Sequence, residues 1–294
     1  MLKGERVRTE FSLRTRLRWL ADRTASALAV LFTAIVVLPL VAIFVYLILK
    51  GASSLNLAFF THVPVPVGEE GGGMANAIVG SATILAIASL IGVPVGIGGG
   101  IYLAEFGRGT KLANAIRFTA DVLNGVPSIV MGIAAYALIV MPQGHFSALS
   151  GGVALGIMMI PTVCRTTEEM LLMVPHAVRE AALALGVPNW RSVLSITVKT
   201  ASPGIITGCM LAFARVAGET APLLFTALGN QFWSTSLNEP IAALPLQIYV
   251  YAISPYDDWH RLAWAGALVL IVLIVLAVSL VRYVTSRGVL KGVS

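Results

Sequence analysis

The 24 residues from Ser26 to Leu49, SALAVLFTAIVVLPLVAIFVYLIL, carry no charged side chain and are interrupted only by Pro39. At about 1.5 Å per helical residue such a run exceeds the roughly 30 Å hydrocarbon core of a bilayer. It follows a 25-residue arm holding Lys3, Arg6, Arg8, Arg14, Arg16, Arg18 and Arg23, and it is longer than the core of a signal peptide. It therefore reads as a retained membrane anchor. The rest of the chain agrees: 294 residues are 57% hydrophobic and 12% charged, with a mean hydropathy of +0.87. That composition excludes a soluble enzyme, a disordered tail and a coiled coil.

Five further apolar runs follow: Ala75 to Leu103, about Asp121 to Met141, Leu149 to Val163 with a possible extension to Thr167, about Pro203 to Leu228, and Leu262 to Val284. The expected fold is an all-α integral membrane protein of six transmembrane helices. Lys and Arg are distributed 17 to one side of these spans and two, Lys50 and Arg261, to the other. The positive-inside rule then places both termini in the cytoplasm. The net charge of +6 belongs to topology, because the basic residues lie between apolar spans and form no soluble face for nucleic acid. The segment 229–261 has an apolar middle, Ile241 to Ile253, too short to cross, and predicts a helix lying on or dipping into the outer surface. Gly92, Gly96 and Gly100 recur every four residues and mark a close-packing helix face.

No nucleotide loop follows the glycines, neither His-Glu-x-x-His nor Gly-x-Ser-x-Gly occurs, and Cys164 and Cys209 lack partners for a metal site. The chain is expected to perform no covalent chemistry and to hold no metal. Between spans four and five the order is Glu180-Ala181-Ala182, three residues, Gly186, nine residues, Ile196. A helix ending near Leu185, Gly186 as its left-handed stop, Pro188 beyond and a second helix from about Trp190 make a helix-turn-helix against the membrane.

This spacing resembles the EAA loop of bacterial ABC importer permeases, with Val198-Lys199 standing where that pattern ends in Leu-Pro. Four other stretches, Asn124 to Gly132, Pro161 to Glu169, Ala214 to Leu224 and Leu244 to Tyr249, are similar to the A-type permease subunits of Pst phosphate ABC importers. The likeness covers residues 75–290; the arm 1–25 and first span 26–49 add little to it. It implies a coupling loop at 168–199 in which Glu180, Ala181, Ala182 and Gly186 dock on an ATP-binding subunit. It further implies a second homologous permease, two ATP-binding subunits holding ATP and Mg, and an extracytoplasmic phosphate-binding protein, at the bacterial inner membrane. No cofactor is expected in this chain.

Arg215 and Glu219 fall four residues apart in the fifth apolar run, hence on one face of a continuous helix, together with Gly204, Gly208, Ala212, Pro222 and Thr226. Two readings remain open. The pair neutralises itself to brace the bundle, or the face lines a path where a guanidinium meets phosphate through two parallel donors. Asp121, Asn124 and Ser128 make a similar polar stripe in the third run, either lining the path or packing between helices. Glu168 and Glu169, at the cytoplasmic end of span four, are expected to be solvated or part of the coupling surface. A rival from another class is a self-contained proton-coupled anion transporter with Glu219 as the proton carrier.

Overall fold

A computed structural model of the chain describes residues 13–69 and 71–290. Residues 1–12 of the basic arm therefore lie outside the described residues. The described part is helical, with one isolated bridge between Leu228 and Ile241 and no strand among the described residues.

Helix α1 spans Leu13–Gly51 and contains the whole first apolar run. It belongs to a separate unit as far as Leu49, and apolar side chains such as Leu28, Phe32, Ile35 and Ile43 are exposed along it. A helix that bares these groups on every side is stable only where lipid replaces water.

The second unit begins with the short α2, Leu57–Thr61, capped by the Asn56 side chain, which accepts from the Phe59 N–H at 2.8 Å. Then α3, Ala75–Ile101, runs into a π-helical turn over Tyr102–Phe106. Next come α4, Lys111–Gly125, and α5, Ser128–Ala135, continued by a second π-helical turn to the three-residue α6, Met141–Gln143. The long α7, Ala148–Leu172, leads to α8, His176–Ala184, and α9, Asn189–Ser192. A third π-helical turn, Val193–Thr197, joins α9 to α10, Val198–Ala217. The chain closes with α11, Ala221–Thr226, α12, Leu244–Ala252, and α13, Asp257–Leu290.

The core lies where α3, α7 and α10 meet, around Ile84, Leu155, Met159, Leu171 and Val216. The predicted glycine face of α3 is what lets α7 approach. A Cβ on Gly92 would lie 2.8 Å from that of Met159, and one on Gly96 would lie 2.6 Å from that of Val163. Helix α7 has 25 residues, so the fourth span is a full crossing and is longer than the Leu149 to Val163 run suggested.

Two spans expected to be continuous are broken. The third is α4 and α5 with a bend of 108° between them. Pro127 disfavours helical geometry in the preceding residue, and Val126 is extended at φ −71°, ψ 132°. The fifth begins earlier, at Asn189, and ends at Ala217 instead of Leu228. Gly218 terminates α10, and Pro222 enters the first turn of α11, where its missing N–H costs nothing. Among the described residues five helices are long and apolar enough to cross a membrane, and the bent pair makes a sixth if counted as one span.

The segment 229–261 holds the helix α12, which buries Leu244, Pro245, Leu246, Gln247 and Tyr251 against α13 and α3 and leaves Tyr249, Val250 and Ile253 exposed. The Leu244 N–H donates to Ser81 Oγ at 2.7 Å, and Tyr251 stacks on Trp259 with ring centroids 4.6 Å apart.

Candidate functional site

The helix-turn-helix between α7 and α10 forms as its residues dictate. Helix α8 ends at Ala184 with Leu185 as its cap, and Gly186 adopts φ +77°, a conformation that costs a side chain but suits glycine. The Gly186 N–H donates to Leu183 O at 2.9 Å and the Val187 N–H to Ala182 O at 3.2 Å. This pair of bonds is the Schellman stop, with Pro188 just beyond it. The second helix begins at Asn189, one residue before its expected start, and does not end at Val198: its π-helical turn feeds straight into α10. Movement of the loop is therefore movement of the fifth span's own backbone. Ala182 is buried beneath α8, whereas Glu180, Ala181 and Gly186 face outward beside the exposed apolar side chains Leu183, Leu185 and Trp190.

A cluster of buried charge anchors this loop, and most of it had no signal in the local sequence. Arg179, 13% exposed, donates from Nε and Nη2 to Glu105 Oε1 at 3.2 and 2.7 Å; Glu105 is 8% exposed. The same guanidinium donates to Leu171 O and Val174 O at 2.7 and 2.8 Å. Glu168 is a correction: it is only 3% exposed, receiving Arg117 Nε at 2.7 Å and Arg165 Nη1 at 2.8 Å. Arg165 also reaches Asp121 Oδ1 at 3.1 Å. The Glu105 partner lies 74 residues from Arg179, so only tertiary structure could reveal the pair. The three-residue spacing of Arg165 and Glu168 was the one available signal.

The membrane residues are arranged differently from the helical projection. Arg215 sits exposed in the last turn of α10, while Glu219 lies in the Gly218 to Thr220 break and is half-buried. They do not share one helix face, and neither side chain has a hydrogen-bond or ion-pair partner among the described residues. The small face of α10 is largely a packing face: a Cβ on Gly204 would meet the Met170 side chain and one on Gly208 that of Thr166, both on α7.

The stripe on the third span divides likewise. Asn124 Oδ1 accepts from Thr162 Oγ1 at 3.0 Å and Asp121 meets Arg165, so both hold α4 against α7. Ser128 belongs to α5 beyond the bend and is half-buried. The two breaks are nevertheless related, because α5 packs on α11: a Cβ on Gly132 would lie 2.8 Å from Pro222 Cα. Ser128 and Glu219 thus stand at the entries to two helices that pack together.

Residues 96–288 match the family described as the binding-protein-dependent transport system inner membrane component. Among curated relatives, the phosphate transport system permease protein PstA of Yersinia pestis is 49% identical over 238 residues, 81% of each chain. The probable PstA of Methanocaldococcus jannaschii is 33% identical over 91% of this chain and 94% of its own. Among solved structures, a chain of the inward-facing MetNI methionine ABC transporter superposes with a TM-score of 0.56 at 20% identity, over 75% of this chain and 97% of that one. That likeness shares the fold and its broken inner helices are read on the present chain alone. With two thirds of its length inside the family's bounds and relatives near half identical, the chain belongs to the binding-protein-dependent transport system inner membrane components, the permease subunits of ABC importers.

Proposed function

We propose that the chain is one of two permease subunits that together form a path for inorganic phosphate into the cell. Two cytoplasmic ATP-binding subunits, which hold the ATP and Mg, drive the cycle, and an extracytoplasmic phosphate-binding protein delivers the substrate. The observation that carries this reading is the coupling loop. A short helix with a fixed Schellman stop presents Glu180 and a ridge of Leu183, Leu185 and Trp190 outside the helical core. Exposed apolar groups rimmed by charge mark a protein interface, and a rigid amphipathic helix suits a groove on a partner. Phosphate as substrate is supported by the relatives that bear that name.

The 17-to-2 division of basic residues supports a cytoplasmic loop and cytoplasmic termini. Closing of the ATPase pair on ATP carries α8 and α9 along. Because α9 runs unbroken into α10, the fifth span follows, and the path alternates between outward and inward access. Arg215, beside the break in that span, faces the path and hydrogen-bonds phosphate. Glu219 accepts a hydrogen bond from the hydroxyl that phosphate still carries at neutral pH and that sulfate lacks. Asn124 holds the third span on α7, and Ser128 lines the path beyond the bend. The rival proton-coupled transporter using Glu219 finds no support in the matched family.

The test is reconstitution of the complete importer in vesicles with Glu180→Lys in this chain. The variant inserts but loses phosphate uptake and phosphate-stimulated ATP hydrolysis. Normal values for both in an assembled complex refute the docking of this loop. Orientation is tested separately: a cysteine replacing Gly71 reacts with an impermeant thiol reagent from outside and one replacing Asn189 does not, and the reverse pattern refutes the topology.

A further inference from the structure

The π-helical turn Tyr102–Phe106 at the end of α3 is where three arginines from different parts of the chain converge. Its closing bond runs from the Gly107 N–H to Tyr102 O, 2.6 Å. This wider turn leaves the Leu103 and Ala104 carbonyls, both in fully buried residues, free for donors from outside the helix. Arg117 of α4 donates to Leu103 O at 3.1 Å, and Arg108 donates to Ala104 O at 2.7 Å. Arg179 of α8 takes the Glu105 carboxylate from the other side. Cations at the carbonyl end of a helix are also favoured by its dipole.

We propose that this turn is the joint through which the coupling helix moves the broken third span, with Arg179 and Arg117 as positioning residues that grip it from opposite sides. The inference rests on the docking of α8 described above and adds a second route for its motion. The first route, through the backbone of α9 into α10, reaches the fifth span only. The second passes from Arg179 to Glu105, across the turn, and from Leu103 O to Arg117 and so to α4, whose far end is the 108° bend before Ser128. Each contact is geometrically specific. Arg179 is held by three acceptors from two other segments, so it cannot shift without dragging Glu105 or releasing Leu171 and Val174. Both spans that break beside the proposed path are thereby tied to one helix on the cytoplasmic side. An α-helix ending squarely at Ile101 would offer no such handle.

The experiment uses the complete importer reconstituted in vesicles, with Glu105→Gln, Arg117→Gln and the double variant. Glu105→Gln keeps the side chain's shape and leaves the two carbonyl bonds of Arg179 in place. Arg117→Gln leaves Glu168 paired with Arg165. The expected result is that both variants assemble and hydrolyse ATP, while phosphate moved per ATP falls roughly tenfold, within the usual range of coupling between sites. The double variant falls no further than the worse single, because both cut one linkage in series. An unchanged ratio, or losses that multiply in the double variant, overturns the joint. If one single fails to assemble, the other decides; if both fail, the turn serves construction of the complex and the proposal is also overturned. Glu180→Lys in the same assay separates the two levels. If it too is normal, docking of the loop has failed as a reading; if it loses coupling while the two Gln variants are normal, only the joint has.

Discussion

The span ends beside the α8–α9 loop and the breaks within the spans hold charge in opposite ways. At the loop-side ends the buried acids among the described residues have their bases inside this chain: Glu105 meets Arg179, and Glu168 meets both Arg117 and Arg165. At the break in the fifth span, Arg215 and Glu219 make no such pairing among the described residues. An unpartnered charge at bilayer depth costs at least about 2.5 kcal/mol on insertion scales, a cost that a partner from outside the chain would lower. A second permease and a bound anion both supply one. The contrast teaches that the first region satisfies its charges within the chain, whereas the second leaves Arg215 and Glu219 open to the partner or anion proposed above.

The largest effect is expected where the first region meets its driver. Gly186→Pro removes the N–H that bonds Leu183 O and forces a ring that fixes negative φ onto a residue held at +77°. Phosphate uptake falls to background in vesicles while the chain remains inserted. Uptake near the parent level shows that the turn does not have to hold its shape.

A smaller effect, on stability, follows from Glu168→Ala. The variant leaves two guanidiniums without their shared acceptor. Because both are about 30% exposed, water makes up part of the loss, and the expected cost is about 1 to 3 kcal/mol, below the 3 to 5 typical of a fully buried pair. Thermal unfolding of the detergent-solubilised complex reads this as a lower Tm. An unchanged Tm removes the claim that these charges lock α4 to α7. Gly96→Ala tests the packing of α3 on α7: its new Cβ lies 2.6 Å from that of Val163, and overpacking of this kind costs about 1 to 3 kcal/mol. The smallest expected effect is Asn124→Leu, which loses one bond to Thr162 and, at about 0.6 kcal/mol for an interhelical hydrogen bond in a membrane, shifts Tm only slightly. A large loss of uptake without a loss of Tm in that variant would move Asn124 from the first region to the path.

The division explains how much of the molecule was legible in the sequence. The first, second and sixth apolar runs, the glycine face of α3 and the Gly186 stop are local signals, and each appears where its residues placed it. The breaks were also written locally, in Gly125-Val126-Pro127 and in Gly218 followed by Pro222, but a projection at 100° per residue assumes continuity and passes over them. It therefore aligned Glu219 with Arg215 and Ser128 with Asn124 across helix ends. The Arg179 to Glu105 pair and the grip of Arg117 on Leu103 had no local signal, since they join segments far apart in the chain. Glu168 was misread as solvated because adjacent acids at a span's end usually are; two arginines from α4 and α7 turned one of them inward.

Arg215 gives the most direct decision between a substrate contact and an internal brace. Phosphate uptake is measured in vesicles holding the complete importer with Arg215→Gln, with Glu219→Gln and with both, beside ATP hydrolysis and sulfate uptake. A substrate contact predicts that Arg215→Gln and the double variant both lose phosphate uptake by at least about tenfold, equivalent to about 1.4 kcal/mol, while assembly and ATP hydrolysis persist. It also predicts that Glu219→Gln alone admits more sulfate relative to phosphate. Parent-level phosphate uptake in the double variant would contradict the contact and leave Arg215 with an internal bracing role that needs no ion pair with Glu219.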